Sequence, residues 1–139
     1  MEDDKVKRFT QLICLILITS MLLVIPAQAA EQASSYFASH SCYLWELSDS
    51  SFQICFNVTA VGGMDVLGAS EIKLQRSTDK SNWETIATYY DIYGYNRSYY
   101  SNEITYSSAT SGYYYRAEVT FHAENDRGIG EYTAWTSYI

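Results

Sequence analysis

Proline is nearly missing from this chain. The single one, Pro26, lies near the amino terminus, so every later segment keeps the backbone amides that strand pairing needs. Histidine is scarce too, with His40 and His122 alone. A nucleophile–base–orienter set would have to draw its base from one of those two, the first in a polar leader and the second on the outward face of a strand. No catalytic residue is therefore assigned, and an enzyme is not expected. After residue 30 the basic side chains reduce to Lys73, Arg76, Lys80, Arg97, Arg116 and Arg127, scattered along the sequence. The net charge of -7 rests wholly on this stretch, because residues 1–29 carry equal numbers of each sign. A body of that sign repels phosphate backbones and anionic lipid surfaces, so neither nucleic acid nor a membrane is an expected partner. Helical spacing of apolar residues is absent beyond Ala30, and so is any second apolar run of the length a bilayer requires.

Cofactor and metal signals are equally thin. Glu124, Asn125, Asp126 and Glu131 bring oxygens together, but their spacing matches no calcium loop. Gly128-Ile129-Gly130 lacks the strand-to-helix setting of a phosphate loop and reads as a hairpin end. Carboxylate pairs such as Glu118 with Glu124, or Asp126 with Glu131, read as a solvated acidic surface rather than a glycosidase pair across a cleft. No cofactor and no metal are expected. Asn57-Val58-Thr59 and Asn96-Arg97-Ser98 match the glycosylation acceptor pattern, which arises readily by chance.

What is present begins with an address. Lys5, Lys7 and Arg8 precede an apolar run from Leu12 to Ile25 that is interrupted by Thr19 and Ser20, followed by Pro26 and the small-residue site Ala27-Gln28-Ala29. Residues 1–29 read as a secretory signal peptide cleaved before Ala30, since the run is shorter than the roughly 20 apolar residues of a membrane span. Cys14 lies inside this run after Ile13, a setting that argues against lipidation. With no hydrophobic tail or sorting sequence before Ile139, the expectation is a secreted, extracellular protein without a membrane anchor. Residues 30–40 are polar and aperiodic and read as a flexible leader, leaving one domain over residues 41–139.

Cys42 and Cys55 remain after cleavage, an even count in an oxidising compartment. A hairpin folded about Ser48-Asp49 would oppose Trp45 to Phe52, Tyr43 to Ile54 and Cys42 to Cys55. A disulfide between Cys42 and Cys55 is the expectation from that register. Alternating apolar and polar residues then mark strands at residues 41–47, 52–60, 71–77, 83–90, 101–106, 113–123 and 130–138. The glycine-bearing stretches 61–68 and 91–97 read as loops between them. About seven antiparallel strands in a chain of this length indicate an all-β sandwich.

Two stretches carry a resemblance. The run from Ile72 to Ile86, with its polar turn Thr78-Asp79-Lys80-Ser81-Asn82 ahead of Trp83, resembles the C strand, turn and following strand of a fibronectin type III or related immunoglobulin-like module. Ser111-Gly112-Tyr113-Tyr114-Tyr115-Arg116-Ala117-Glu118-Val119 resembles that family's approach to strand F. The resemblance implies a single immunoglobulin-like β-sandwich in which the Tyr115 hydroxyl bonds back to the preceding loop. The layout of signal peptide plus one such domain, with Gly63-Met64-Asp65 and Gly68-Ala69, also resembles an uncharacterised family of small secreted proteins of Gram-positive bacteria, which implies an address and a fold but no activity.

Tyrosine is the residue in excess. All fourteen follow Ala30, and six fall between Tyr89 and Tyr100. Exposed tyrosines give rigid, amphipathic contact area at small entropic cost, which binding surfaces exploit. The expected binding surface is therefore Tyr93, Tyr95, Tyr99 and Tyr100 with Asp126 of the neighbouring hairpin, and the expected function a secreted, non-enzymatic binding or interaction module for an extracellular protein or glycan. A secreted antagonist or bacteriocin-like protein acting on other cells is the alternative.

Overall fold

A computed structural model describes residues 35–139. The expected signal peptide, 1–29, and residues 30–34 of the expected leader lie outside the described residues. Five strands follow: β1 (Phe37–Ser48), β2 (Ser51–Ser77), β3 (Glu84–Tyr106), β4 (Tyr114–Asn125) and β5 (Gly128–Trp135). All pair antiparallel in one sheet of order β1-β2-β4-β5, with β3 hydrogen-bonded to β2. β2 is long enough to serve two sets of neighbours. Its first half lies between β1 and the end of β3, and its second half between β4 and the start of β3.

The sheet is all-β and antiparallel as expected, but it is one curled half-barrel of five strands rather than seven strands in a sandwich. The difference lies in two stretches taken for loops. Residues 64–69 pair with residues 92–97, from Met64 opposite Arg97 to Ala69 opposite Ile92, so each expected loop continues a strand through the other. Glycine makes the passage possible. A Cβ on Gly68 would be driven into the Ile92 carbonyl, and one on Gly94 would lie 2.5 Å from the Tyr100 ring. The strand bends instead at a bulge, where Ala60, Val61, Gly62 and Gly63 stand opposite Ser98 alone. β1 likewise begins at Phe37, inside the expected leader, and carries His40 against the Tyr132 ring at 4.3 Å.

The hairpin between β1 and β2 corrects the disulfide. Its turn is Asp49-Ser50, one residue beyond the expected Ser48-Asp49, with Ser48 opposite Ser51 and a bulge at Leu47. Tyr43 thus faces Cys55, and Cys42 faces Phe56. A slip of one residue sends each side chain to the other face of the sheet. Cys42 and Leu44 turn toward the core beside Ile54 and Phe56, while Cys55 turns outward. Both cysteines are free thiols. Tyr43 and Trp45, which the expected register set against the buried Ile54 and Phe52, are exposed.

Along β4 the alternation holds as read: Tyr115, Ala117, Val119, Phe121 and Ala123 are buried, and Tyr114, Arg116, Glu118, Thr120 and His122 point to the other face. The curl brings this row against the first half of β2. Phe56 meets Phe121 at 6.2 Å and Phe52 meets Tyr115 at 5.2 Å, while Ile54, Val58, Leu67, Ile72 and Leu74 fill the space between. Truncating such a ring to alanine costs about 3–5 kcal/mol, so this aromatic contact is a large share of a small domain's stability. The Tyr115 hydroxyl accepts a hydrogen bond from the Thr110 amide at 2.8 Å, the loop contact the resemblance implied.

Candidate functional site

Strand alternation splits the expected tyrosine surface. Tyr100 faces inward, its ring 6.0 Å from Phe56 and its hydroxyl accepting from the Asn102 side-chain Nδ2 at 2.9 Å. Tyr93 lies on the outer face of the second half of the sheet, in a cross-strand row with Gly68, His122 and Glu131. Because Gly68 has no side chain, the Tyr93 ring spans it to reach His122 at 5.2 Å. Burial and the neighbouring Asp91 carboxylate push the Tyr93 phenol up to about 12. Tyr95 is exposed at the bend, in a row with Val66, Glu124 and Ile129. Asp126 is exposed in the β4–β5 turn, at the same end of the sheet, where Asn125 reaches the Met64 sulfur. These residues do not converge on one cleft.

Tyr99 does belong to one. Its outward partners include Cys55, which the expected register placed in a disulfide, and Tyr43, which that register set against Ile54. Tyr43 of β1, Cys55 of β2 and Glu103 of β3 form a row across three strands, and Asn57 and Ser101 form the next. Tyr43 and Tyr99 flank a cleft of about 390 Å³ over Cys55, Asn57, Ser101 and Glu103. Both rings are about half exposed, at 48% and 54%. Asn57 is fixed by donating to the Ser41 hydroxyl at 2.8 Å. Proximity to Cys55 raises the Tyr43 pKa, and burial raises that of Cys55 despite its hydrogen bond with Tyr43. The floor is therefore a neutral thiol at neutral pH, soft and weakly polar. The Glu103 carboxylate and Ser101 hydroxyl have no protein partner among the described residues, and no basic side chain lines the cleft.

Two other concavities differ in kind. The cleft of about 410 Å³ beside the β1–β2 turn is lined by Phe52, Tyr113 and Tyr115 and lies at the turn itself, where Ser48 is bound to Ser51 and the Tyr115 hydroxyl to the Thr110 amide. The surface at the bend, about 560 Å³, is lined by 62–65 and 96–98 and carries no aromatic wall. His122 is gripped at both ring nitrogens, by Glu131 at 3.1 Å and Glu124 at 3.5 Å, an arrangement in which no single ion could meet all three groups. The Tyr43–Tyr99 cleft sets two half-exposed rings beside the unengaged Glu103 carboxylate and Ser101 hydroxyl. Sequence reasoning missed it because the register across three strands, and not any local motif, assembles it.

No model of a known protein family matches this chain, and no curated protein matches it.

Proposed function

We propose that this is a non-enzymatic binding module, acting outside the cell after removal of residues 1–29, and that the Tyr43–Tyr99 cleft takes a neutral glycan. The carrying observation is the pairing of two half-exposed phenol rings across a floor that offers a carboxylate, a hydroxyl and an amide. A sugar ring presents apolar C–H faces to such walls and hydroxyls to such a floor, whereas a purely apolar ligand would leave Glu103 desolvated and unpaired. The absence of a cation in the cleft and the net charge of -7 disfavour an acidic ligand there. An immunoglobulin-like ancestry, and kinship with small secreted proteins of Gram-positive bacteria, belong to this same reading. The Tyr115–Thr110 bond supports the first.

The test is a glycan array of uncharged oligosaccharides followed by calorimetry on any hit. Tyr43→Ala and Tyr99→Ala are expected to weaken binding at least tenfold each while leaving the circular dichroism spectrum unchanged, as loss of a stacking wall requires. Full affinity in both variants would refute the cleft.

A further inference from the structure

Cations that are scattered in sequence gather at the other end of the sheet. The Lys80 Nζ lies 4.3 Å from the centroid of the Tyr114 ring and 4.7 Å from that of Tyr138. The Arg116 guanidinium lies 4.1 Å over the Trp83 ring. The rings are themselves neighbours, Tyr114 edge-on to Tyr138 at 5.7 Å and Trp83 to Tyr138 at 6.4 Å. Trp83 is tied to the turn by its indole N–H, which donates to the Lys80 carbonyl at 3.2 Å.

In a protein with a large acid excess, cations are expected to find carboxylates. Lys73 does so with Glu71 at 2.7 Å and Glu118 at 3.5 Å, and Arg76 with Glu84 at 3.0 Å. Lys80 and Arg116, like Arg97 and Arg127, form no ion pair among the described residues, and the first two lie together on one connected cluster of rings. Arg116 spends its Nε on Gln75 at 2.8 Å, which leaves the outer edge of a five-donor fork. The carboxylate next to Lys80 in sequence is already occupied: Asp79 accepts from the amides of Ser81 and Asn82, from the Asn82 side chain and from the Ser77 hydroxyl, at 2.7–2.9 Å. Those bonds hold the turn in which Lys80 adopts a left-handed φ of 61°.

We infer that the Trp83–Tyr114–Tyr138 cluster with Lys80 and Arg116 is a second binding site, for an anionic saccharide. A sugar ring stacks on the aromatic surface, and its carboxylate or sulfate is taken by Lys80 and Arg116, neither of which has an acidic partner among the described residues. The site is independent of the Tyr43–Tyr99 cleft and opposite to it in ligand charge. An acidic peptide fits less well, because β4 and the second half of β2 lie inside the sheet. Their backbone groups are paired on both sides, so no strand can be added there.

The test is a nuclear magnetic resonance titration of the ¹⁵N-labelled protein with a tetrasaccharide of alternating glucuronate and N-acetylglucosamine, with its sulfated form, with its carboxyl-reduced form and with oligo-glutamate. The acidic sugars are expected to shift the Trp83 indole N–H and the amides of residues 114–116. Lys80→Gln and Arg116→Gln should each weaken binding about tenfold, as loss of a charge-assisted contact does, and Tyr43→Ala should not change it. A response to either acidic sugar supports the site, and which one responds names the anion. No shift with either, an equal response to the reduced sugar or to oligo-glutamate, or full affinity in Lys80→Gln would overturn it.

Discussion

At the scale of single residues, a glycine and a tyrosine show how one missing side chain sets the chemistry of another. Gly68 leaves a gap on the outer face, and the Tyr93 ring crosses it to cover His122. The same cover withdraws the phenol from water and sets it beside Asp91, so the neutral form is favoured in the fold. An acid whose pKa rises on folding adds stability that is complete below its unfolded value, about 10 for tyrosine, and is lost as pH rises through the folded value. Tyr93 therefore ionises late, near the folded value of about 12. Followed by tyrosinate absorbance, Tyr93→Phe should remove a late-titrating component and make stability above about pH 10 less dependent on pH. A variant whose alkaline titration overlays the parent would contradict the placement of the ring.

At the scale of elements, the segments with unbroken alternation were legible and the connections were not. Tyr115 through Ala123 reads directly as a strand with one buried face, because every second residue is apolar and none is ambiguous. Residues 61–68 and 91–97 carry glycine, asparagine and aspartate, the residue types of turns, yet each pairs with the other over a long range that no local pattern encodes. Residues 42–45 offered two choices of inner face, and a turn at Ser48-Asp49 set Tyr43 and Trp45 against Ile54 and Phe52. The turn at Asp49-Ser50 selected the other, since tyrosine and tryptophan tolerate exposure better than leucine does. The cleft depended on that choice, so Tyr99 alone of its walls was found. The bend yields a sharp comparison. Gly68→Ala should cost about 1–3 kcal/mol or more in urea unfolding, because the added carbon meets the Ile92 carbonyl. Gly63→Ala, with open space around it and no positive φ, should be neutral or stabilising by at most about 1 kcal/mol. Equal effects would argue against a continuous β2.

At the scale of the whole molecule, one curled sheet separates a packed inner face from two outer faces of contrasting chemistry. The inner face holds Phe52, Phe56, Tyr115 and Phe121 in contact. Outside, the first half of the sheet displays Tyr43, Tyr99 and an unpaired carboxylate, while the second displays rings with unpaired cations. Composition alone gives a net acidic chain, and folding gathers Lys80 and Arg116 onto one ring cluster within it. All of this depends on how β1, β2 and β3 align, and cross-strand nuclear Overhauser effects read that alignment directly. The row proposed here predicts contacts from Tyr43 to Cys55 and from Cys55 to Glu103, with Cys42 near Phe56. Contacts joining Cys42 to Cys55, with Tyr43 near Ile54, would move Tyr43 into the interior and leave the cleft without its wall.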